Sequence, residues 1–277
     1  MKTLIVIAGP TAVGKTAHAV RLARELDTEI VSCDSRQFYR EMRIGVARPT
    51  DEELVAAVHH FIACRSVTES YNIHDYWQDA TALLRQLFQT HDTVIAVGGS
   101  GLYIDALLHG VSAMPDPTPE LRARLQQMPL EEKRAQLQML DPDYYARVDL
   151  RNPVRLQRAL EVCFMTGRPY SEVVAENDMR HAGNDAWRTE VRVLGMDRVE
   201  LRDRIDRRVD QMMQEGLLDE VRSLLPYRHL NTLNTVGYRE LFPVVDGTET
   251  IENAIAAIKL NTWHYARKQM TWMRRYL

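Results

Sequence analysis

The stretch Gly9-Pro10-Thr11-Ala12-Val13-Gly14-Lys15-Thr16 follows directly on the apolar run Leu4-Ile5-Val6-Ile7-Ala8. No other feature constrains the fold of this chain so strongly. It is a complete G-x-x-x-x-G-K-[ST] pattern, with a buried-strand pattern before it and a helical one after it. Glycines let such a loop wrap closely around phosphate oxygens, its successive N–H groups point inward, and the helix offers its positive end. Lys15 adds a point charge and Thr16 a hydroxyl suited to Mg²⁺. The segment reads as a strand–loop–helix unit that binds a polyphosphate or diphosphate through Gly9, Pro10, Thr11, Ala12, Val13, Gly14, Lys15 and Thr16.

The first hundred residues continue in this manner. Lys15–Leu26 has a helical pattern with Ala19, Leu22, Ala23 and Leu26 on one side. Glu29–Cys33 and Thr93–Val97 are further short apolar runs, and Tyr71–Gln89 reads as a long helix between them. Strands alternating with helices predict an α/β fold: a parallel-sheet core with helices on both faces and a site at the carboxyl ends of the strands. Three motifs fall at such ends: the Gly9 loop, Asp34-Ser35 and Gly98-Gly99.

Met114-Pro115-Asp116-Pro117-Thr118-Pro119 is a hard break, because proline removes a donor and biases its predecessor away from helix. Beyond it, Pro119 to about Asn177 reads as helical throughout. The polar stretch Asp178–Asp185 then leads to strand-like alternation at Thr189–Leu194. The expected organisation is a core of 1–114 and 188–277 with an inserted all-helical lobe at 115–187. Helices fill the remainder, with breaks at Pro226 and around Pro243–Gly247.

The net charge of −3 announces no nucleic-acid partner globally. Cys33, Cys64 and Cys163 match no metal spacing and read as reduced thiols. No apolar run reaches the length of a signal h-region or a membrane span, so a cytoplasmic protein is expected.

Asp34 has three readings: a carboxylate holding Mg²⁺ through water, a general base facing a second substrate, and a helix cap. The glycines of Gly98-Gly99-Ser100-Gly101 allow close approach to a ligand, and Ser100 can hydrogen-bond an anionic oxygen, although an ordinary turn has the same look. His59-His60 is not a metal pair, since adjacent side chains diverge and no third ligand lies nearby. Arg204 and Arg208 sit one helical turn apart, a spacing that suits forked donation to a diphosphate and equally a solvated, salt-bridged helix. From Asn253 to Leu277 there is no acid. Lys259, Arg267, Lys268, Arg274 and Arg275 interleave there with Trp263, Tyr265, Trp272 and Tyr276, a pattern for unpaired RNA or for a helix packing its aromatics on the core.

Taken in order, these segments resemble the tRNA dimethylallyltransferase (tRNA isopentenyltransferase) family along nearly the whole chain. The resemblance rests on Gly9–Thr16, Asp34-Ser35 with Gln37 and Tyr39, Ile44–Thr50, His59-His60 and Gly98–Tyr103. It continues through Asn152–Val162, Thr166–Pro169, Arg204-Ile205 and Arg208-Val209 to Gly216-Leu217, Val236–Glu240 and Gln269–Trp272. The family more often carries Thr at Ser100, Lys at Arg48 and Asp at Ala63, and an Arg after Thr262.

The resemblance implies a bacterial-type enzyme without a zinc finger. It would transfer a dimethylallyl group from its diphosphate to N6 of the adenosine beside the tRNA anticodon, position 37, with Mg²⁺ at Thr16. Asp34 would accept the N6 proton, with Ser100 and Arg204 as catalytic partners and Arg208 binding diphosphate. Ser35, Gln37, Tyr39, Arg155, Arg158, Arg267, Lys268, Gln269 and Trp272 would contact the anticodon stem-loop of the tRNA, and a monomer is expected. A prenyltransferase acting on free adenine nucleotides, an ATP-dependent small-molecule kinase and a binding-only module are the competing readings.

Overall fold

The computed structural model describes residues 1–111, 114–181 and 187–277, without the side chains of 177–181. The polar stretch expected at Asp178–Asp185 therefore lies, over 182–185, outside the described residues. Two compact units are distinguished: Met1–Leu108 with Asp185–Leu277, and His109–Asn184.

The first unit begins with β1 (Thr3–Ala8), α1 (Lys15–Leu26), β2 (Ile30–Ser32), α2 (Asp51–Ala56), β3 (His59–His60), α3 (Ile73–Thr90), β4 (Thr93–Gly98) and α4 (Gly101–His109). In the second unit follow α5 (Pro119–Gln127), α6 (Leu130–Leu140), α7 (Pro142–Tyr145), α8 (Pro153–Thr166) and α9 (Tyr170–His181). The chain then returns through β5 (Arg188–Val193), α10 (Arg198–Gln214), α11 (Leu217–Ser223), α12 (Phe242–Val245) and α13 (Ile251–Met273).

Five parallel strands pair in the order β3-β2-β4-β1-β5. Period-two alternation sends successive side chains to opposite faces. Leu4, Val6 and Ala8 of β1 enter a cluster with Tyr76, Leu84 and Phe88 of α3 and Ile258 of α13. Ile5 and Ile7 enter another with Ala19, Val20 and Ala23 of α1. Helices thus cover both faces, which is why β1 and β4 read as unbroken apolar runs.

β3 escaped the sequence reading because two residues show no periodicity. Its histidines are hydrogen-bonding residues: His59 Nδ1 lies 2.8 Å from the Ala57 carbonyl, and His60 Nε2 lies 2.6 Å from Glu29 Oε2. Among the described residues no helix is long and apolar enough to cross a membrane.

The sheet register brings the site together. Ala8 pairs with Gly98, and Ser32 with Val97, so the loops after β1, β2 and β4 leave the sheet at one edge. This is where an open parallel sheet binds its ligands.

In the helical unit, Leu125, Leu137, Leu156, Ala159 and Leu160 form the core. Asp141, only 1% exposed, organises one end of it. Its carboxylate accepts from Tyr144 N at 2.9 Å, from Ser171 N at 2.6 Å and from Ser171 Oγ at 2.8 Å, capping α7 and pinning the start of α9. Leaving these donors unpaired costs about 1–3 kcal/mol for each one buried. Asp141→Ala should therefore lower stability by roughly 2–4 kcal/mol, read as an earlier urea transition, and Asp141→Asn by less because it keeps one acceptor oxygen.

Candidate functional site

The loop after β1 is shaped by two left-handed positions, Ala12 (φ 66°) and Gly14 (φ 94°). Gly14 caps α1 in a conformation that costs glycine nothing. Lys15 folds back so that its Nζ donates to the Pro10 carbonyl at 2.7 Å. Thr11, Gly14, Lys15 and Thr16 line a cavity of about 740 Å³, joined by Asp34 and Gln37 after β2 and by Gly98 and Gly99 after β4. Arg204 and Arg208, one turn apart on α10, line it as well. Val13 is different. Its side chain is buried with Leu201, Ile205 and Ala266, so only its backbone could serve a ligand.

This cavity is lined by charges of both signs, with Lys15, Arg204, Arg207 and Arg208 facing Asp34, Asp51, Glu52, Glu53 and Glu215 across it. Burial pulls the Lys15 ammonium down to about 8, with Asp34 opposing that shift and Arg208 adding to it. Burial likewise lowers the Arg208 guanidinium, whose Nη1 donates to Thr11 Oγ1 at 3.4 Å. Both groups would gain from an incoming anion.

Asp34 Oδ1 accepts from the Arg36 backbone N–H at 2.9 Å, a local turn that fixes the carboxylate at the cavity edge. A smaller cavity of about 220 Å³ shares Asp34, Thr11, Arg208 and Tyr265 with the first. Its walls are largely apolar: Val46, Ile205, Val209, Met212, Val236 and Ile258. Ser35 lines this second chamber. Asp34 thus lies where a highly charged space meets a largely apolar one.

Other expected site residues are placed differently. Ser100 is 9% exposed and does not line either cavity. It accepts from Ser35 N at 3.3 Å and so ties the turn after β4 to the Asp34-Ser35 segment. Gln269, expected at the tRNA, is 6% exposed with both ends of its amide engaged. Oε1 accepts from Thr11 N at 2.8 Å and Nε2 donates to Gly99 O at 2.8 Å.

Tyr39, also expected at the tRNA, is 4% exposed, packs edge-on against Phe38, and pairs in a bridge with Arg65. Gln37 holds the loop beyond it, donating to Ala47 O at 3.0 Å. Trp272 donates from Nε1 to Asp105 at 2.8 Å, which docks α13 on α4. In the helical unit Arg158 is committed to Glu161 at 3.2 Å and to Pro115 O at 3.2 Å, whereas Arg155 is exposed. Arg267 and Lys268 are exposed on α13.

Arg207, Arg43, Arg48 and Tyr265 line the larger cavity without having been singled out as site residues. Arg207 was within reach of helical spacing, being three residues beyond Arg204 on α10. The Tyr265 hydroxyl is raised by burial and by Asp34, with Ser100 and Gln269 opposing the shift. Its position beside residues more than 150 positions away had no local sequence signal.

Residues 37–276 match the model of a family described as IPP transferase. The chain is 47% identical to tRNA dimethylallyltransferase 1 of Bacteroides thetaiotaomicron, covering 99% of this chain and 89% of that protein. It is 46% identical to the tRNA dimethylallyltransferase of Christiangramia forsetii, covering 98% of this chain and 90% of that protein.

Among solved structures it resembles the full-length tRNA isopentenylpyrophosphate transferase of Bacillus halodurans, with a TM-score of 0.71, 35% identity, and coverage of 99% of this chain and 87% of that one. It also resembles a eukaryotic dimethylallyltransferase acting on tRNA, with a TM-score of 0.83, 25% identity, and coverage of 99% and 70%. The chain belongs to the IPP transferase family.

Proposed function

We propose that this protein is a tRNA dimethylallyltransferase. It transfers the dimethylallyl group of dimethylallyl diphosphate to N6 of the adenosine at position 37, beside the anticodon, and releases diphosphate. The observation that carries the reading is the placement of Asp34, which lines both the larger cavity, beside Lys15 and Arg208, and the largely apolar one next to it. An amphiphilic donor matches this pair of spaces, with its diphosphate among Lys15, Arg204 and Arg208 and its five-carbon chain against Val46, Val209 and Met212.

The chemistry follows from these positions. The exocyclic amine is a poor nucleophile because its lone pair is delocalised into the ring. Asp34 accepts a hydrogen bond from N6 and takes its proton as the N–C bond forms. The C–O bond of the donor breaks at the same carbon, and the departing diphosphate gathers charge. Lys15, the loop amides, Arg204 and Arg208 stabilise that charge. Ser100 acts by holding Ser35 and the Asp34 segment in place.

Mg²⁺ suits this donor set. The described residues contain no cluster of three or more His, Cys, Asp or Glu side chains for an all-protein cage. Mg²⁺ commonly takes one or two protein oxygens and completes its shell with substrate phosphates and water. Thr16 would supply the hydroxyl ligand, and the ion would neutralise developing charge on the leaving group.

For the acceptor, the exposed Arg267 and Lys268 of α13 and Arg155 of the helical unit are the proposed contacts to the anticodon stem-loop. An anticodon loop presents its base without the cost of opening a duplex. We place the enzyme in the cytoplasm as a monomer, in keeping with its free Cys33, Cys64 and Cys163.

The direct test is incorporation of radiolabelled dimethylallyl diphosphate into unmodified tRNA, with AMP as a parallel acceptor. Label in tRNA alone is expected. Label in AMP would favour a free-nucleotide enzyme, and label in neither would overturn prenyl transfer. Asp34→Ala should lose roughly 10²–10⁴-fold in transfer rate with donor affinity largely retained, and equal loss of both would assign Asp34 a structural or metal-holding role.

Lys15 adds a pH signature. Only its protonated form attracts diphosphate, and its free-enzyme value is about 8. Donor affinity measured by calorimetry should be level near neutrality and fall as pH rises through that value, by up to roughly tenfold per unit. Lys15→Met should bind more weakly and lose this dependence.

A further inference from the structure

The turn segment Arg43–Arg48 forms one wall of the larger cavity, with Arg43, Val46 and Arg48 among its lining residues. It belongs to no helix or strand, so something else must hold its shape. Within the segment, Ala47 N donates to Ile44 O at 2.9 Å and Arg48 N to Arg43 O at 3.1 Å. These bonds close the turn but do not fix it in space.

The fixing group is a carboxylate distant in sequence. Glu220 of α11 accepts from three consecutive backbone N–H groups: Arg43 at 3.1 Å and Ile44 at 2.8 Å on Oε2, and Gly45 at 3.1 Å on Oε1. The same Oε1 accepts the Tyr238 hydroxyl at 2.6 Å. Successive amides converging on one point form a concavity suited to an anion, and here the protein's own carboxylate fills it. Burial and the neighbouring Glu220 hold the Tyr238 hydroxyl well above its ordinary value, so it remains a donor.

Gly45 lies flush on the Tyr238 ring, where a Cβ would come within 2.5 Å of Cε2. On its other side the segment is tied to the end of β2, since Gln37 donates to Ala47 O at 3.0 Å and Ser32 Oγ to Gln37 Oε1 at 3.3 Å.

The position of Glu220 gives the contact its consequence. α11 follows α10 across Gly216 (φ 97°), and α10 carries Arg204 and Arg208 on another wall of the same cavity. Arg48 has a buried Nε with no hydrogen-bond partner in the protein. We infer that Glu220 is a positioning residue for the diphosphate donor. By filling the amide nest of residues 43–45 it fixes the Arg48 wall relative to the arginines of α10. This inference rests on the donor-site reading given above, but the hold of Glu220 on the segment can be tested independently of it.

Two readouts test it on the full chain. Trypsin can cleave the Arg43–Ile44 bond only if the segment leaves its nest, whereas Arg48 is protected by Pro49. Glu220→Gln places an amide NH₂ against backbone donors, and cleavage at Arg43–Ile44 should accelerate by at least about fivefold under native conditions. In transfer assays its donor KM should rise roughly tenfold, with kcat and the tRNA KM within about threefold of the parent. Tyr238→Phe leaves the nest filled and should change donor KM by less than about threefold.

If Glu220→Gln fails to fold, Glu220→Asp carries the same expectations, because one methylene fewer prevents it from reaching all three amides. Unchanged cleavage at Arg43–Ile44 would overturn the inference. So would equal changes in kcat and both KM values, which mark a merely structural role. If the parent protein transfers no label at all, the functional reading fails, and the cleavage comparison still decides whether Glu220 holds the segment.

Discussion

A single buried amide holds together segments from both ends of the chain. Gln269 on α13 joins Thr11 N in the phosphate loop to Gly99 O after β4. A buried carboxamide with either end unpaired costs about 1–3 kcal/mol, so the side chain is stable there only when both loops are in place. The dependence runs in both directions. The loops have no direct hydrogen-bond ladder of their own beyond the ends of β1 and β4, and the amide supplies one. Trp272, one turn further along α13, repeats the arrangement with Asp105 of α4 at 2.8 Å. The last long helix thereby lines the same cavity as the first loop.

The same economy appears wherever irregular backbone lines the cavity. Glu220 fills the amide nest of 43–45, Gln37 takes the carbonyl of Ala47, and Ser100 receives the N–H of Ser35. Each is a side chain that pairs a backbone group water would otherwise solvate. Rigid loops result without long strands to carry them. Such rigidity is needed where buried cations must be held together: burial disfavours the charged forms of Lys15 and Arg208, and their mutual proximity adds to the effect for Lys15.

Much of this was legible residue by residue. The phosphate loop, the strands at Thr3 and Thr93, Asp34, and the Arg204/Arg208 pair were read from pattern and spacing, because strand alternation, glycine geometry and the helical turn are local properties. Tyr39, Gln269 and Arg158 carry polar atoms that suit RNA contact, and the fold sets the surroundings of each. Tyr39 is buried against Phe38, Gln269 lies between two loops while lining the larger cavity, and Arg158 is paired with Glu161 one helical turn on, a spacing visible in the sequence. Tyr265 and Arg48 were not singled out as site residues: only the fold brings them to the cavity.

Sequence by itself determined the class of fold and where in it the candidate site lies. A G-x-x-x-x-G-K-[ST] loop between a buried strand and a helix leaves few alternatives to a parallel sheet with an anion at its carboxyl edge. Tertiary structure decided which polar groups are free to meet a substrate and which are spent on the protein itself. That division depends on pairings such as Thr11 with Gln269 and Gly45 with Glu220, which span 258 and 175 positions. Hydrogen bonding over such distances is set by how helices pack on the sheet, and neighbouring residues carry no trace of it.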